Sequence, residues 1–188
     1  MESRAYPSLN RAWNSSCRLL FGQELGELRD FEPWLARYLA PATTAKSFIS
    51  GKPATLTTPY YSENGRFASF DEVDFAKKFE PLSINDIKDI DSIVDALGER
   101  LFYAGNIVLG VSSNVESSSN VIDSHFVRGS NVVSDSKYIG FSSETRYSEN
   151  CFGCYVIVES AYSMKSGGGR NSRTFECHHC QFISDSYY

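Results

Sequence analysis

A chain of 188 residues with 41% apolar and 14% aromatic side chains can bury a good-sized core, which excludes wholesale disorder. Its 18 basic and 23 acidic side chains give a formal charge of −5 and form no basic stripe, so no strong nucleic-acid binding is expected. No apolar run approaches the roughly 20 residues of a membrane span. The first residues show no secretory leader, and five cysteines suit a reducing compartment. The expectation is a cytoplasmic or otherwise intracellular protein without a membrane partner, or a virion component if the source is viral.

The chain divides by composition. All six prolines lie at or before Pro81, and the stretch beyond is rich in Ser, Val, Tyr and Gly. The expected fold is therefore α+β: a mainly α-helical head over residues 1–105, followed by a parallel β-solenoid of hexad repeats over residues 106–188. In the head, Ser8 is expected to cap a helix that places Leu9, Trp13, Cys17 and Leu20 on one face. A second helix from Asp30 to Ala40 gathers Phe31, Trp34, Leu35, Tyr38 and Leu39, with Pro33 in its first turn and Pro41 at its end. The segment 47–67 reads as short strands and loop with a turn at Glu63-Asn64-Gly65, and its Tyr60-Tyr61 pair is expected to pack. The clearest helix is SINDIKDIDSIVDAL, residues 83–97, in which Ser83 and Asp86 form a capping pair and Ile84, Ile87, Ile90, Val94 and Leu97 make an apolar stripe. Gly98 stops it.

Beyond residue 106 the grammar changes. Residues 106–188 hold 18 serines, and ten of them occupy the eleven slots of a six-residue period running from 112 to 172. Cys154 fills the eleventh. The midpoints are Val115, Val121, Val127, Val133, Ile139, Thr145, Cys151, Ile157 and Ser163, so every third residue is small or apolar. An α-helix drifts off a period of three, a flat strand has period two, and collagen needs Gly and Pro that this chain lacks. A β-solenoid with short strands and corners remains. Two hexads make one turn, turns stack about 4.8 Å apart through parallel ladders, a small hydroxyl residue faces each Val, and stacked serines bond one another along the axis. Proline would delete a ladder donor, which accounts for its absence.

These equal steps of three resemble the narrow two-sided solenoid of beetle antifreeze proteins, over roughly residues 109–188 and in coil geometry only. The resemblance implies a coil of about 12 residues with small inward side chains. Antifreeze activity does not follow, because it needs a flat Thr-x-Thr ladder and this half has only Thr145 and Thr174. The stretch SENCFGCYVIVESAYSMKS through ECHHCQFISDSYY is also similar to uncharacterised repeat proteins of metagenomic bacteria and their viruses, which carry no activity over. A 12-residue coil aligns Phe126, Tyr138 and Tyr162 in one outer column with Asn114 and Asn150. This ladder either braces the fold against the helices or forms a partner-binding stripe.

Cys151, Cys154, Cys177 and Cys180 form C-x2-C-x22-C-x2-C, a spacing that suits a tetrahedral zinc site. Cys151 and Cys154 also sit on inward slots, where a period of three generates C-x-x-C without any metal, and cysteine is a good small filler. The register slips by one across KSGGGRNSR, read as a loop extruded from a turn. His178 and His179 are expected on the surface. The repeat runs to Tyr187 and Tyr188 without a closing element, which implies self-association or a protein partner at that end.

The functional expectation is a non-enzymatic structural or interaction protein without a cofactor, acting as scaffold or docking surface, by analogy in a viral or phage assembly. Phe126, Tyr138, Tyr162, Tyr187 and Tyr188 are the candidate contacts. The alternative is a small zinc protein using the four cysteines to bind a protein or nucleic acid. An acyltransferase-like hexapeptide enzyme is a third reading, with His125 as its sole candidate base. No nucleotide-binding or nucleophile-elbow fingerprint occurs.

Overall fold

A computed structural model describes residues 4–40, 43–98, 100–169, 171–176 and 183–184. Helices α1 (Tyr6–Phe21) and α2 (Leu28–Leu35) come first, then a hairpin of β1 (Thr43–Lys46) and β2 (Pro53–Leu56). Strand β3 (Phe67–Ser69) pairs in parallel with β4 (Tyr103–Gly105) across a long excursion that contains α3 (Ile90–Gly98). The parallel β-solenoid follows, confirming an α+β chain with helices ahead of a coil.

The named solenoid strands are β5 (Val108–Leu109), β6 (Ser113–Glu116), β7 (Ser119–Ile122), β8 (His125–Arg128), β9 (Asn131–Ser134), β10 (Lys137–Gly140), β11 (Ser143–Arg146), β12 (Glu149–Phe152) and β13 (Tyr155–Val158). They form two sheets, one of order β12-β10-β8-β6 and one of order β13-β11-β9-β7-β5. Val127 pairs with Ile139 and Val133 with Thr145, which is a coil of 12 residues. The first coil is one residue longer, since Val108 pairs with Val121. The extra residue lies near Val111, whose N–H donates to Asp123 Oδ1 at 2.8 Å. The short strands β14 (Asn171–Ser172) and β15 (Ile183–Ser184) pair in the same parallel sense.

The backbone explains the period of three. The residue before each inward slot is left-handed: Asn120 (φ 56°), Asp123 (46°), Phe126 (57°), Gly129 (58°), Val132 (55°) and Asp135 (47°) continue one series. Two extended residues and one left-handed residue return the side chain to the interior every third position. Asn, Asp and Gly adopt this region most readily, and they fill many of these slots.

The interior differs from the expected pairing of hydroxyl against valine. Val121, Val127, Val133, Ile139, Cys151, Cys154 and Ile157 form one buried cluster drawn from both sheets, while the serines sit at the corners between strands. Apart from Ser160 and Ser163, whose hydroxyls bond each other at 2.6 Å, the hydroxyls described bond backbone. Ser136 N–H donates to Ser124 Oγ at 3.0 Å, Ser142 N–H to Ser130 Oγ at 3.0 Å, and Cys154 N–H to Ser142 Oγ at 3.1 Å. Each hydroxyl in turn donates to the carbonyl two residues back, as Ser130 Oγ does to Arg128 O at 2.9 Å.

The register slip past residue 165 is real, but the described residues on either side of 170 stay in the coil, with Gly168 N–H on Tyr155 O and Arg173 N–H on Ala161 O. Gly167 still bridges Tyr155, and Met164 bridges Phe175, so the coil is shortened by one residue instead.

Among the described residues two joints hold the head to the solenoid, and Asn131 Nδ2 adds a bond to Thr57 O at 3.2 Å. Helix α1 lies across β8, β10 and β12, and Leu9, Trp13, Cys17, Leu20, Phe152 and Met164 share one core. Gly153 (φ 69°) lets the end of α2 approach: a Cβ there would lie 2.9 Å from Leu35 Cδ2 and 3.1 Å from Leu35 O. Arg128 ties Glu32 of α2 to Glu116 of the coil. Asn106 (φ 53°) closes the other joint, where its side chain accepts from Thr55 N–H at 2.8 Å and donates to Pro53 O and Ser69 Oγ at 3.0 Å each.

Three expectations in the head are corrected. Ala5, not Ser8, takes the position before α1, and the Ser8 hydroxyl accepts from the Arg11 guanidinium inside the helix. Helix α2 starts two residues early, which places Pro33 beyond its first turn, and the run continues only as a short 3-10 turn, Ala36–Tyr38. The 83–97 helix is broken. Ser83 caps a 3-10 turn over Ile84–Asp86, and Asp89 starts α3 by accepting from Ser92 N–H at 2.8 Å. Its apolar stripe is also not a core face: Ile84 is 85%, Ile90 78% and Val94 61% exposed.

Candidate functional site

The head carries a concave site that the sequence reading missed. Gly65 closes the turn with its N–H on Ser62 O at 2.9 Å, and Ser62 Oγ lies 3.3 Å from Tyr103 Oη. Tyr61 packs edge-on against Phe67 and Tyr103, with ring centroids 5.2 and 4.7 Å away, whereas Tyr60 stands in solvent. These contacts fix one wall. Val94 and Asp95 of α3 line the same cleft, of about 660 Å³, with Leu101 and Phe102. Arg66 also lines it, with its guanidinium 3.9 Å above the Phe48 ring, and Phe48 in turn packs on Phe102 at 5.4 Å. Ile84, Ile87 and Ile90, which precede or open α3, are exposed large aliphatics of the same segment. Such a mixture of fixed aromatic wall, mobile-length aliphatics and a carboxylate rim can seat side chains of another protein.

The aromatic column of the solenoid is assembled as the coil predicts. Phe126 and Tyr138 stack at 5.1 Å with planes 17° apart. Both are half-buried and packed against the α1 core. Tyr162 stands further along, where it lines a notch of about 260 Å³ with Tyr138, Asn150 and Arg11. Tyr187 and Tyr188 lie outside the described residues.

Cys151 and Cys154 are fully buried in the solenoid interior. Each thiol donates to the carbonyl two residues back at 3.5 Å, repeating the serine geometry. Its hydrogen bond with the neighbouring Cys154, which favours the protonated form, and burial push the Cys151 thiol well above its ordinary value. Cys177, Cys180, His178 and His179 lie outside the described residues, and among the described residues no group of three His, Cys, Asp or Glu could hold a metal. His125 Nδ1 lies 2.9 Å from Ser113 Oγ on the outer face of neighbouring coils. Beside it Asp123, Asp135, Glu149 and Glu159 line an open depression of about 780 Å³.

No helix of the described residues is long and apolar enough to cross a membrane. No protein-family model, curated protein or solved structure matches the chain.

Proposed function

We propose that this chain is a non-catalytic interaction scaffold, in which a filled solenoid holds a head in a fixed orientation and both offer outer surfaces to protein partners. The observation that supports this reading is the joint between the two. Trp13 packs edge-on against Phe152 at 5.5 Å, and Gly153 admits Leu35 to backbone contact, so the helices and the coil share one core. A rod built this way transmits position rather than chemistry, and its inward slots are occupied by its own side chains.

The reading extends to assembly, in which coils of the C-terminal region meet a second copy or a partner and Tyr187 and Tyr188 take part. Short solenoid rods serve this purpose in virion and appendage components, which gives the viral analogy its place here. Light scattering over a wide concentration range tests the assembly arm. Growth beyond the monomer that disappears in Tyr187→Lys/Tyr188→Lys supports it. A strict monomer at every concentration overturns it.

A further inference from the structure

The charge of this chain is not evenly spread. Residues 60–103 contain ten acidic and five basic side chains, a balance of −5 that equals the formal charge of the whole molecule. The same segment buries almost nothing: none of the described residues from Phe70 to Ala104 is buried. Ile84, Ile90, Val94 and Leu101 are each more than 60% exposed on it. An acidic stretch that leaves its large aliphatics in water is under-packed by itself.

The charges are placed to matter. Asp91 and Asp95 stand one turn apart on α3, flank Val94, and form no ion pair among the described residues. Two nearby cations are engaged by the head itself. Arg66 lies over Phe48, and Arg100 lies over Phe79 and donates to Glu80 O. Residues 83–98 carry Asp86, Asp89, Asp91 and Asp95 against one cation, Lys88, so the α3 side of the cleft is acidic although Arg66 shares its lining.

We infer that the cleft bounded by Val94, Asp95, Leu101 and Tyr103 docks a basic amphipathic helical segment of a partner protein, with aliphatic anchors against Val94 and Leu101 and lysine or arginine against Asp91 and Asp95. This deepens the scaffold reading and rests on it. Apolar anchors supply the affinity, and complementary charge supplies orientation and rate. An anionic membrane surface carries the wrong sign for this rim.

The test uses the full chain and three synthetic peptides of equal length: one with Leu at helical spacing among Lys, one with the same Leu positions among Glu, and one with Lys unchanged and Leu replaced by Ser. Fluorescence anisotropy is expected to show the Lys/Leu peptide binding at least tenfold tighter than either control. Val94→Ser/Leu101→Ser leaves every charge in place and is expected to weaken binding at least tenfold. Asp91→Asn/Asp95→Asn is expected to weaken it several-fold and flatten its salt dependence. All four positions are exposed, and emission of Trp13 and Trp34 verifies that each variant is folded. Equal binding of the Lys/Ser peptide, or indifference to Val94→Ser/Leu101→Ser, overturns the site. If the peptides fail while self-association persists, the cleft assignment falls and the scaffold stands; a strict monomer that binds none of them removes both.

Discussion

Ser142 N–H donates to Ser130 Oγ, twelve residues earlier in the chain, at 3.0 Å, and the Ser130 hydroxyl itself donates to Arg128 O at 2.9 Å. One hydroxyl thus binds two backbone groups at the corner, and Arg128 O accepts from Phe141 N–H as well at 2.9 Å. Ser130→Ala leaves the buried N–H of Ser142 without its acceptor. The expected loss is about 1–3 kcal/mol, measured as a lower denaturation midpoint. Ser134→Ala, at a half-exposed site outside the corner series, is expected to stay within about 0.5 kcal/mol.

Val132 and Val156 occupy left-handed backbone at φ 55° and 57°, where a β-branched side chain is least at home. Neighbouring coils place Asn120 and Glu144 at the same station as Val132, and neither valine is fully buried. Replacing Val132 with Asn is expected to raise stability by about 0.5–1 kcal/mol, since left-handed strain costs of order 1–3 kcal/mol for a poorly suited residue and some packing is lost. A drop in stability would show that the Val132 contacts outweigh its backbone cost.

Gly153 and Gly51 share a positive φ, 69° and 76°, but differ in surroundings. A Cβ on Gly153 meets Leu35, while one on Gly51 meets nothing within 4 Å. Gly51→Ala therefore costs the conformational term alone, about 1 kcal/mol. Gly153→Ala adds the displacement of α2 and is expected to cost at least about 1 kcal/mol more. Both tryptophans of the chain, Trp13 and Trp34, belong to the helix–solenoid core, so their emission should shift for Gly153→Ala and not for Gly51→Ala.

The described thiols should be inert in the folded chain. Burial pushes Cys17 up to about 11, and Cys151 lies well above the ordinary thiol value beside Cys154. Reactivity follows the thiolate, so alkylation at pH 8 is expected to modify Cys17, Cys151 and Cys154 only at the rate of unfolding. Peptide mapping by mass spectrometry resolves them from Cys177 and Cys180. Rapid native labelling of Cys151 would contradict its place in the interior.

The solenoid was legible because its constraint is strictly local. A slot that tolerates only Ser, Val, Ile, Thr or Cys repeats wherever the coil does, so Ser124, Val127, Ser130 and Val133 announce it without knowledge of any partner. The left-handed station was also written in the chain, as Asn106, Asn114, Asn120, Asp123 and Asp135 before inward slots. That signal is diluted by Phe126, Val132 and Tyr138, which obey the coil against their own preference. Hydrophobic periodicity misled at α3, because a stripe such as Ile84, Ile87, Ile90 and Val94 has the same appearance whether it meets a core or water. The cleft was invisible for another reason: its walls come from residues 62–66, 94–98 and 101–103, which only the β3–β4 pairing brings together.

Glu72 holds the β1–β2 hairpin to the β3 corner. Its carboxylate accepts from the Ser47 and Ser50 hydroxyls and from Ser69 N–H at 3.3 Å, and the Ser47 bond above all keeps it below the usual carboxylate range. Glu27 is lowered in the same sense by the Tyr6 hydroxyl, which donates to it at 2.8 Å. A carboxylate whose folded pKa is depressed contributes stability that is fully present above the ordinary glutamate value of about 4.3 and is lost as the pH falls through the folded value. The hairpin turn at 47–52 should therefore loosen below about pH 4, before the solenoid does, because the hydrogen bonds of the serine hydroxyls to the backbone involve no titrating group. Hydrogen exchange read at Ile49 and Gly51 against Val127 and Ile139 separates the two regions. Glu72→Gln should bring the loosened turn to neutral pH and abolish the acid transition at Ile49, leaving exchange at Ile139 unchanged.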